Sequence, residues 1–380
     1  MRSALKLAEK GIGAVEPNPA VGCIITKSGQ VIGKGYHKKF GGPHAEVNAI
    51  ADCATLGVKP EGGTMYVTLE PCCHVGKTGP CTEAILDARV ARVVVAVRDP
   101  SAHACGKGLD LLRRAGIDVQ VGLCEEAARL LNAPFFKHAA TGRPWVVLKW
   151  AQSIDGKLAY AEPSAEKRWI TNELSRADAH KLRRRVGAIL VGINTILTDD
   201  PMLTPRPSKG RKPIRVVLDD SLRIPRTSRL LRTIKTSPVL ICTQKQAVEA
   251  NSKQAERIHK KGVEILVCEA AGESTDLHFL LDRLSERGVQ QVLVEGGPRV
   301  LASFLREGLA DEICVYLAPK ILGADGAAFI GEPMTDLMQG IGLDHVQTKV
   351  FGDNICLRGL LADPNLQQTL PVERVAGVEA

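Results

Sequence analysis

The sequence predicts an α/β protein built from two domains. Its 380 residues exceed what one ordinary hydrophobic core accommodates, so two domains are the expected organisation. Short apolar segments of strand length alternate with helical patterns along most of the chain, which favours α/β layers around mostly parallel sheets. The helix-breaking run Thr-Gly-Arg-Pro at 141–144 interrupts this alternation, and the strand pattern restarts at Trp145. We therefore expect one domain over 1–142 and a second over 143–362.

The first domain is expected to alternate strands with helices. Its first two strands form a pair around the turn at Ser28-Gly29, and a helix begins at His44, beside Pro43. Another helix is predicted over 125–137, just before the boundary. The predicted strands are 21–26, 31–36, 64–69 and 92–97.

The second domain repeats this alternation on a larger scale. The predicted strands are 145–151, 188–191, 215–218, 239–242, 264–267, 291–295 and 312–317, and the clearest helices are 172–185 and 276–287. The last residues, 363–380, have little periodicity and contain Pro364 and Pro371. We expect them to form a disordered tail.

Composition narrows the class of protein. No segment approaches the ~18 apolar residues that a membrane helix needs, and the first residues lack the apolar core of a signal peptide. The 11 cysteines are odd in number and show no disulfide-like spacing, which is typical of a reducing cytosol. The formal net charge of +8 suits phosphorylated ligands as well as nucleic acid. We expect a cytoplasmic enzyme without a membrane partner, and a homo-oligomer, as is common for α/β enzymes.

The strongest chemical signal is His44-Ala45-Glu46, followed by Cys72 and Cys81, each of which comes directly after a proline. One imidazole and two thiols match the nitrogen and sulfur ligands that zinc prefers, and a catalytic zinc keeps only three protein ligands. The pattern H-x-E…P-C-x-x-C is the signature of zinc-dependent nucleobase deaminases. It predicts His44, Cys72 and Cys81 as zinc ligands and Glu46 as the catalytic proton shuttle.

Other interpretations of this motif fit less well. Cysteine often packs simply as a small buried apolar residue, and we assign that role to Cys73. A non-catalytic zinc site leaves Glu46 without a purpose. A polynucleotide deaminase needs a basic surface with aromatic residues, whereas aromatics are 4% of this chain and only Tyr66 flanks the motif. We therefore expect no nucleic-acid partner.

The spacing of the two zinc-ligand cysteines points to a particular family. Eight residues, 73–80, separate Cys72 from Cys81, and the stretch Thr-Leu-Glu-Pro-Cys-Cys-His-Val-Gly-Lys-Thr-Gly-Pro-Cys at 68–81 closely resembles the motif of the bifunctional deaminase/reductase family of riboflavin biosynthesis. That family usually has serine in place of Cys73. The segments 17–22 and 35–37 resemble its substrate loops. The resemblance implies a cytidine-deaminase-like α/β/α sandwich in which Asn18 binds substrate. His74 could be a spare metal ligand, but we interpret it as a substrate-contacting or loop residue.

A third segment, 99–108, resembles a family loop that helps to hold the substrate phosphate. This chain departs from the usual family pattern there, because Ser101-Ala102-His103 follows Asp99-Pro100. The resemblance implies a phosphate neighbour at Lys107 and leaves the contact by Ser101 open.

The second domain carries a weaker signal of its own. A predicted strand runs into Gly296-Gly297-Pro298, and a helix N-terminus after such a turn binds phosphate well, although this sequence is mostly just a tight turn. The segments 153–157, 169–171 and 195–206 together with this turn are similar to the reductase half of the same family. That half has a dihydrofolate-reductase-like fold and uses NADPH.

The resemblance also implies the ligand contacts of the second domain. The implied NADPH contacts are Ala151, Trp169, Thr195, Asp199, Gly297, Pro298, Arg299, Val300, Leu301, Ala302 and Ser303. The implied substrate contacts are Lys167, Arg183, Leu203, Arg206 and Glu295. Lys167 stands where the family commonly has serine; a lysine can hold a phosphate as a point charge, or it can mark a weakened reductase.

The resemblance implies a two-step function in riboflavin biosynthesis on phosphorylated pyrimidines. The first domain removes the amine of 2,5-diamino-6-(5-phosphoribosylamino)pyrimidin-4-one with zinc. The second reduces the ribosyl group of 5-amino-6-(5-phosphoribosylamino)uracil to ribityl with NADPH. The alternative is a deaminase joined to an inactive reductase-like domain.

Overall fold

The computed structural model describes most of the chain and divides it between Gly142 and Arg143 into two compact units. The described residues are 1–101, 106–161, 169–207, 210–268, 270–271, 274–328 and 340–361. The predicted substrate contact Lys167 and the expected tail 363–380 lie outside these residues. Among the described helices, none combines the length and the apolar character that crossing a bilayer requires.

The first unit is a five-stranded sheet flanked by helices. In chain order its elements are α1 (Arg2–Ala8), a 3-10 turn (Glu9–Gly11), β1 (Gly22–Lys27), β2 (Gln30–Tyr36), α2 (Ala45–Thr55), β3 (Thr64–Val67), α3 (Cys81–Asp87), β4 (Arg92–Val95), α4 (Lys107–Arg114), β5 (Asp118–Val121), α5 (Glu125–Leu131) and α6 (Ala133–Thr141). The strand order is β2-β1-β3-β4-β5. Strands β3, β4 and β5 are parallel, whereas β1 is antiparallel to both of its neighbours. The sheet is thus mixed, and the expected parallel arrangement holds only for its β3–β5 half.

Two glycines let helix α2 lie directly on strand β2. A Cβ atom at Gly35 would lie 2.2 Å from the Ala45 carbonyl oxygen, and one at Gly33 would lie 2.4 Å from Cys53 Sγ. Because neither strand position can carry a side chain without displacing the helix, the start of α2 is held against the sheet. The buried core beneath it includes Cys23, Ile25, Met65, Val67, Val93 and Val95.

The prediction of a single helix over 125–137 is wrong, because the structure has two helices there, α5 and α6. The break falls at Asn132, whose backbone leaves the helical region, and Pro134 follows in the first turn of α6. Proline lacks the N–H that would continue the preceding helix. The buried Asn132 side chain accepts a hydrogen bond from Ala20 N at 2.8 Å and donates one to Ala20 O at 2.9 Å, which fixes the chain beside the predicted contact Asn18.

The second unit is built on a nine-stranded sheet. Its elements are β6 (Trp145–Ser153), β7 (Lys157–Tyr160), α7 (Glu173–Arg185), β8 (Ala188–Gly192), α8 (Ile193–Asp199), β9 (Ile214–Leu218), α9 (Arg229–Arg232), β10 (Val239–Gln244), α10 (Lys245–Ala250), α11 (Ser252–Lys260), β11 (Glu264–Cys268), β12 (Ala270–Ala271), β13 (Ser274–Thr275), α12 (Leu277–Glu286), β14 (Gln291–Val294), α13 (Pro298–Arg306), β15 (Glu312–Ala318), a 3-10 turn (Gly323–Asp325), β16 (Gly326–Ala328), β17 (Leu343–Phe351) and β18 (Asn354–Leu361). The order is β11-β10-β9-β8-β14-β6-β15-β18-β17, with short pairs β12-β13 and β16-β7.

The large sheet is parallel from β11 to β15, and β18 and β17 extend it as antiparallel strands. A buried hydrophobic core, which includes Leu148, Leu190, Val294 and Phe304, packs beneath the central strands. The carboxyl ends of the neighbours β8, β14 and β6 therefore lie side by side, which is where ligands bind in open α/β sheets.

The structure contains a disulfide, whereas the cysteine spacing predicted none. Cys242 on β10 and Cys268 on β11 are bonded, with Cα atoms 6.4 Å apart. The register of the two parallel strands pairs Cys242 with Leu266, which makes the cysteines diagonal neighbours. Their separation of 26 residues gives no hint of this pairing in the sequence.

Candidate functional site

The predicted zinc ligands of the first unit meet in one cluster. His44 Nδ1 lies 3.2 Å from Cys81 Sγ and 3.5 Å from Cys72 Sγ, and the three ligand atoms all lie within 4.8 Å of one another. His44 caps the N-terminus of α2, Cys72 follows the end of β3, and Cys81 is the first residue of α3. Segments that are distant in sequence thus deliver one nitrogen and two sulfur atoms to a single point.

Two helix N-termini favour negative charge at this cluster. Helices α2 and α3 both begin there, and the positive end of a helix dipole stabilises an anion. The Cys81 backbone N–H donates to Cys72 Sγ at 3.4 Å. Hydrogen bonds from the Cys81 side chain, and from His44, outweigh the effect of burial and lower the pKa of the Cys72 thiol to about 4. The site thus favours a thiolate at Cys72, the form that binds a metal.

Glu46 lies in the first turn of α2, two residues beyond His44, and is 3% exposed. Its Oε2 atom is buried and has no hydrogen-bond partner among the described residues. Burial, opposed by the hydrogen bond from its own backbone N–H, raises the pKa of Glu46 to about 7. A buried polar atom without a partner is costly in a folded protein, so this oxygen is suited to receive a ligand's hydrogen bond.

The three ligand residues fit a zinc ion. Zinc–nitrogen and zinc–sulfur bonds of about 2.0 and 2.3 Å at tetrahedral angles place the two ligand atoms roughly 3.5 Å apart. The distances of 3.2 and 3.5 Å from His44 Nδ1 to the two sulfurs match this value. Three protein ligands leave a fourth position for water, and the unpartnered Glu46 oxygen supplies a base beside it.

A cavity of about 300 Å³ opens onto the cluster. Asn18, the predicted substrate contact, lines it together with His37. The His37 ring contacts the Pro43 carbonyl through Nδ1 at 3.1 Å and the Asn18 amide nitrogen through Nε2 at 3.3 Å. Since a carbonyl only accepts and an amide nitrogen only donates, His37 carries its proton on Nδ1. Burial lowers the pKa of His37, which favours this neutral form.

Some cavity residues were not singled out by the sequence. Lys77, from the 73–80 insert, has its ammonium 3.9 Å from the centre of the Phe40 ring, and both residues line the cavity. Phe135 of α6 and Glu70 after β3 line it as well. In the sequence, Lys77 is marked only by its place in the Gly-Lys-Thr run of the family-like insert.

Part of the segment 99–108 lines the cavity. Asp99 and Ser101 line the cavity, and the Ser101 N–H donates to Asp99 Oδ1 at 2.8 Å. Lys107, the first residue of α4, is not among the described residues that line the cavity, and neither is Cys73, whereas His74 is.

The second unit brings Arg183 and Glu295 into a bidentate ion pair. Arg183 Nε and Nη2 each lie 2.7 Å from a Glu295 oxygen, and Lys149 Nζ lies 3.9 Å from Glu295 Oε2. Burial opposes ionisation of Glu295, but the positive charges of Arg183 and Lys149 lower the pKa of its carboxyl to about 2. The remaining Arg183 nitrogen, Nη1, contacts the Thr204 carbonyl at 3.4 Å. Most of the donors of Arg183 therefore face protein acceptors.

The other predicted contacts of this unit follow the ends of neighbouring strands. Ala151 lies near the end of β6, and Glu295 follows β14 directly. Thr195 and Asp199 lie on α8 after β8, and the predicted contacts 297–303 form the cap and first turns of α13. Leu203 is buried with a φ of +50°, whereas Arg206 and Trp169 are exposed. Because β8, β14 and β6 are neighbours in the sheet, most of these residues lie at the carboxyl ends of these three strands.

His180 is a residue of this region that the sequence did not reveal. It lies on α7, one turn before Arg183. Burial and the charges of Arg183 and Arg206 lower the pKa of His180 to about 4, so its ring is neutral at pH 7. Its buried Nδ1 has no hydrogen-bond partner within the described part of the chain.

The fold and the cluster of the first unit define a zinc-type deaminase domain joined to a second α/β domain. Residues 1–97 match the cytidine and deoxycytidylate deaminase zinc-binding region, and residues 144–357 match the RibD C-terminal domain. The chain belongs to the RibD family, whose two domains use Zn²⁺ and NADPH.

Relatives match the chain along nearly its whole length. The riboflavin biosynthesis protein RibD of Aquifex aeolicus is 46% identical over 325 residues, which are 85% of this chain and 87% of that protein. The Escherichia coli protein of the same name is 37% identical over 371 residues, covering 94% and 97% of the two chains.

Solved structures agree with both domains. Acinetobacter baumannii RibD superposes with a TM-score of 0.82 at 36% identity and covers 95% of this chain and 98% of its own. A diaminohydroxyphosphoribosylaminopyrimidine deaminase/5-amino-6-(5-phosphoribosylamino)uracil reductase from Thermotoga maritima gives a TM-score of 0.81 at 33% identity and covers 95% and 97%. The expected cytidine-deaminase-like domain and reductase domain are both confirmed.

Proposed function

We propose that this chain carries out two consecutive steps of riboflavin biosynthesis. It removes ammonia from 2,5-diamino-6-(5-phosphoribosylamino)pyrimidin-4-one and then reduces the ribosyl group of 5-amino-6-(5-phosphoribosylamino)uracil to ribityl. The observation that carries the first step is the His44, Cys72 and Cys81 cluster beside an unpartnered, buried Glu46 oxygen. The family membership along both domains supports the pairing of the two steps.

Glu46 moves the protons of the deamination. A bound zinc ion supplies Lewis acidity that lowers the pKa of a coordinated water toward about 7. Glu46 takes a proton from the attacking water as the water oxygen bonds to the amine-bearing ring carbon, and passes it to the adjacent ring nitrogen. It then takes the proton of the new hydroxyl group and delivers it to the departing amine as the carbon–nitrogen bond breaks, so that ammonia leaves and a carbonyl remains.

The cavity residues orient the pyrimidine. His37 accepts a hydrogen bond from the Asn18 amide nitrogen, which leaves the Asn18 carbonyl oxygen as the atom that accepts from the substrate. Lys77 provides a positive charge in the same cavity, where a phosphorylated substrate needs one. Together these residues bind the ring and its charged substituent.

The reductase residues bind substrate at the carboxyl ends of the neighbouring strands β8, β14 and β6. NADPH, when bound, supplies the hydride that reduces the ribosyl carbon and opens the sugar. We assign the phosphate contact chiefly to exposed Arg206, since Arg183 is held in its pair with Glu295. That pair holds Arg183 beside Thr204, in the loop that leads to Arg206.

We also propose that the enzyme is a cytoplasmic homo-oligomer that binds neither nucleic acid nor membranes. Val346 and Val350 on the sheet-edge strand β17 and Ile355 on β18 are exposed apolar residues, and a second copy of the chain is the occupant we assign to them. Light scattering of the purified protein should give a mass of at least two chains; a monomer would contradict this assignment.

The alternative, a deaminase with an inactive reductase-like domain, is not favoured. The second domain matches the RibD C-terminal domain over 144–357, and the Arg183–Glu295 pair is intact. Purified protein given the diaminopyrimidinone and NADPH should release ammonia and NADP⁺ in equal amounts. Ammonia without NADP⁺ would restore the alternative, and the absence of both products would refute the proposed function.

A further inference from the structure

Glu70 is a buried carboxylate that has no role in the proposed reaction. It follows β3, immediately before Pro71-Cys72, and is 4% exposed. Oε2 accepts hydrogen bonds from Asp99 N at 3.2 Å and Gly106 N at 3.0 Å, and Oε1 accepts one from Gly108 N at 3.1 Å. A carboxylate with three backbone donors is strongly satisfied and geometrically fixed.

These donors lie at the two ends of the segment 99–108. Gly106 is the N-cap residue of α4 and Gly108 lies in its first turn, so the Glu70 carboxylate accepts hydrogen bonds from backbone N–H groups at the N-terminus of that helix. A Cβ atom at Gly108 would lie 2.2 Å from the Pro71 carbonyl oxygen. The start of α4 therefore packs directly on the peptide that precedes the zinc ligand Cys72, and the amides of Gly106 and Gly108 are engaged by Glu70 and not by a ligand.

The same contacts fix one wall of the cavity. Asp99, whose N–H bonds to Glu70, accepts a hydrogen bond from Ser101 N, and both residues line the cavity. The reacting ring carbon must lie beside the metal cluster and Glu46. The wall formed by Asp99 and Ser101 is thus left for the part of the substrate that does not react.

We propose that Glu70 is a positioning residue that holds the wall of Asp99 and Ser101, and the start of α4, in the shape that receives the non-reacting part of the deaminase substrate. This inference rests on the proposed deamination. Contacts to the non-reacting part of a substrate, when made equally in the ground and transition states, change KM and leave kcat unchanged. Glu70 therefore acts on KM through this wall.

The test is the substitution Glu70→Gln in the full-length zinc enzyme. Glutamine keeps the size of the side chain but turns one acceptor oxygen into an NH₂ group that faces a backbone N–H. We expect KM for the phosphorylated substrate to rise by about tenfold or more. The zinc content should stay at that of the wild type, with kcat within about threefold.

Glu61→Gln is the matched control, because Glu61 is an exposed carboxylate of the same unit that pairs with Arg89 at the surface. An unchanged KM in Glu70→Gln, or a fall in kcat accompanied by zinc loss, would overturn the proposal. If Glu70→Gln fails to fold, Gly108→Ala, which pushes α4 away from Pro71, decides by the same criteria. A wild-type enzyme that releases no ammonia would instead refute the deamination itself.

Discussion

Single atoms decide the chemistry of the first domain. His44, Cys72 and Cys81 could be singled out from the sequence as candidate zinc ligands, because zinc restricts both the residue types and their short spacings. The unpartnered Oε2 of Glu46 could not be recognised, since it depends on which neighbours surround a buried side chain. The orientation of His37 between Asn18 and Pro43 was hidden for the same reason.

Glu46→Gln should reduce ammonia release by about 100-fold or more, because an amide cannot carry a proton between water, ring and leaving amine. The measurement is kcat for deamination by protein whose zinc content equals that of the wild type. Glu61→Gln, at the surface of the same domain, should leave kcat unchanged. Near-normal ammonia release by Glu46→Gln would remove Glu46 from the mechanism.

Arg206→Ala should raise KM for the reductase substrate by about tenfold, since the guanidinium fork matches a phosphate and its loss removes a charge-assisted contact. The measurement is NADPH oxidation with the deaminated substrate at varied concentration. Arg226→Ala removes another exposed arginine of the same domain and serves as the control. Equal KM values in the two variants would contradict the phosphate contact.

At the scale of the elements, strand and helix positions were largely visible in the sequence. The predicted strands at 188–191 and 312–317 fall within β8 and β15, and the helix predicted over 172–185 is α7. The exceptions have physical causes. Strand β17 was missed because most of its residues are exposed, so no apolar pattern marks it. Antiparallel pairing of β1 and β3 joins residues about 40 positions apart, which periodicity does not report.

Gly35→Ala should destabilise the first domain by about 1–3 kcal/mol, because the added methyl must push α2 away from β2. Helix α2 carries His44 and Glu46, so zinc content and ammonia release should fall together. Gly29→Ala, in the β1–β2 turn, adds a methyl that meets nothing within 4 Å but strains a backbone with a φ of +78°, so it should cost about 1–2 kcal/mol and still retain zinc. Thermal unfolding and metal analysis distinguish the variants; full zinc retention in Gly35→Ala would show that this close approach is dispensable.

At the scale of the whole molecule, the two units carry different chemistries that depend on different cofactors. The candidate zinc ligands lie before Gly142, and the predicted reductase contacts lie in the unit that begins at Arg143. The sequence predicted this division from one run of helix breakers, because a boundary between domains is marked by local composition.

Removal of zinc by a chelator should abolish ammonia release and leave NADPH oxidation unchanged when the deaminated substrate is supplied. Deaminase activity should return when zinc is added back. The paired assays on one sample form the internal control, since each domain reports on the integrity of the preparation. Loss of both activities on chelation would show that the second domain depends on the metal as well.

The buried amide of Asn132 ties the start of α6 to Ala20, two positions from the predicted contact Asn18, although the deaminase family match ends at residue 97. A piece excised at that limit would keep His44, Cys72 and Cys81. It would lack this tie and the fully buried core residues Leu109 and Leu112, so we expect it to lose the fold that brings the three side chains together.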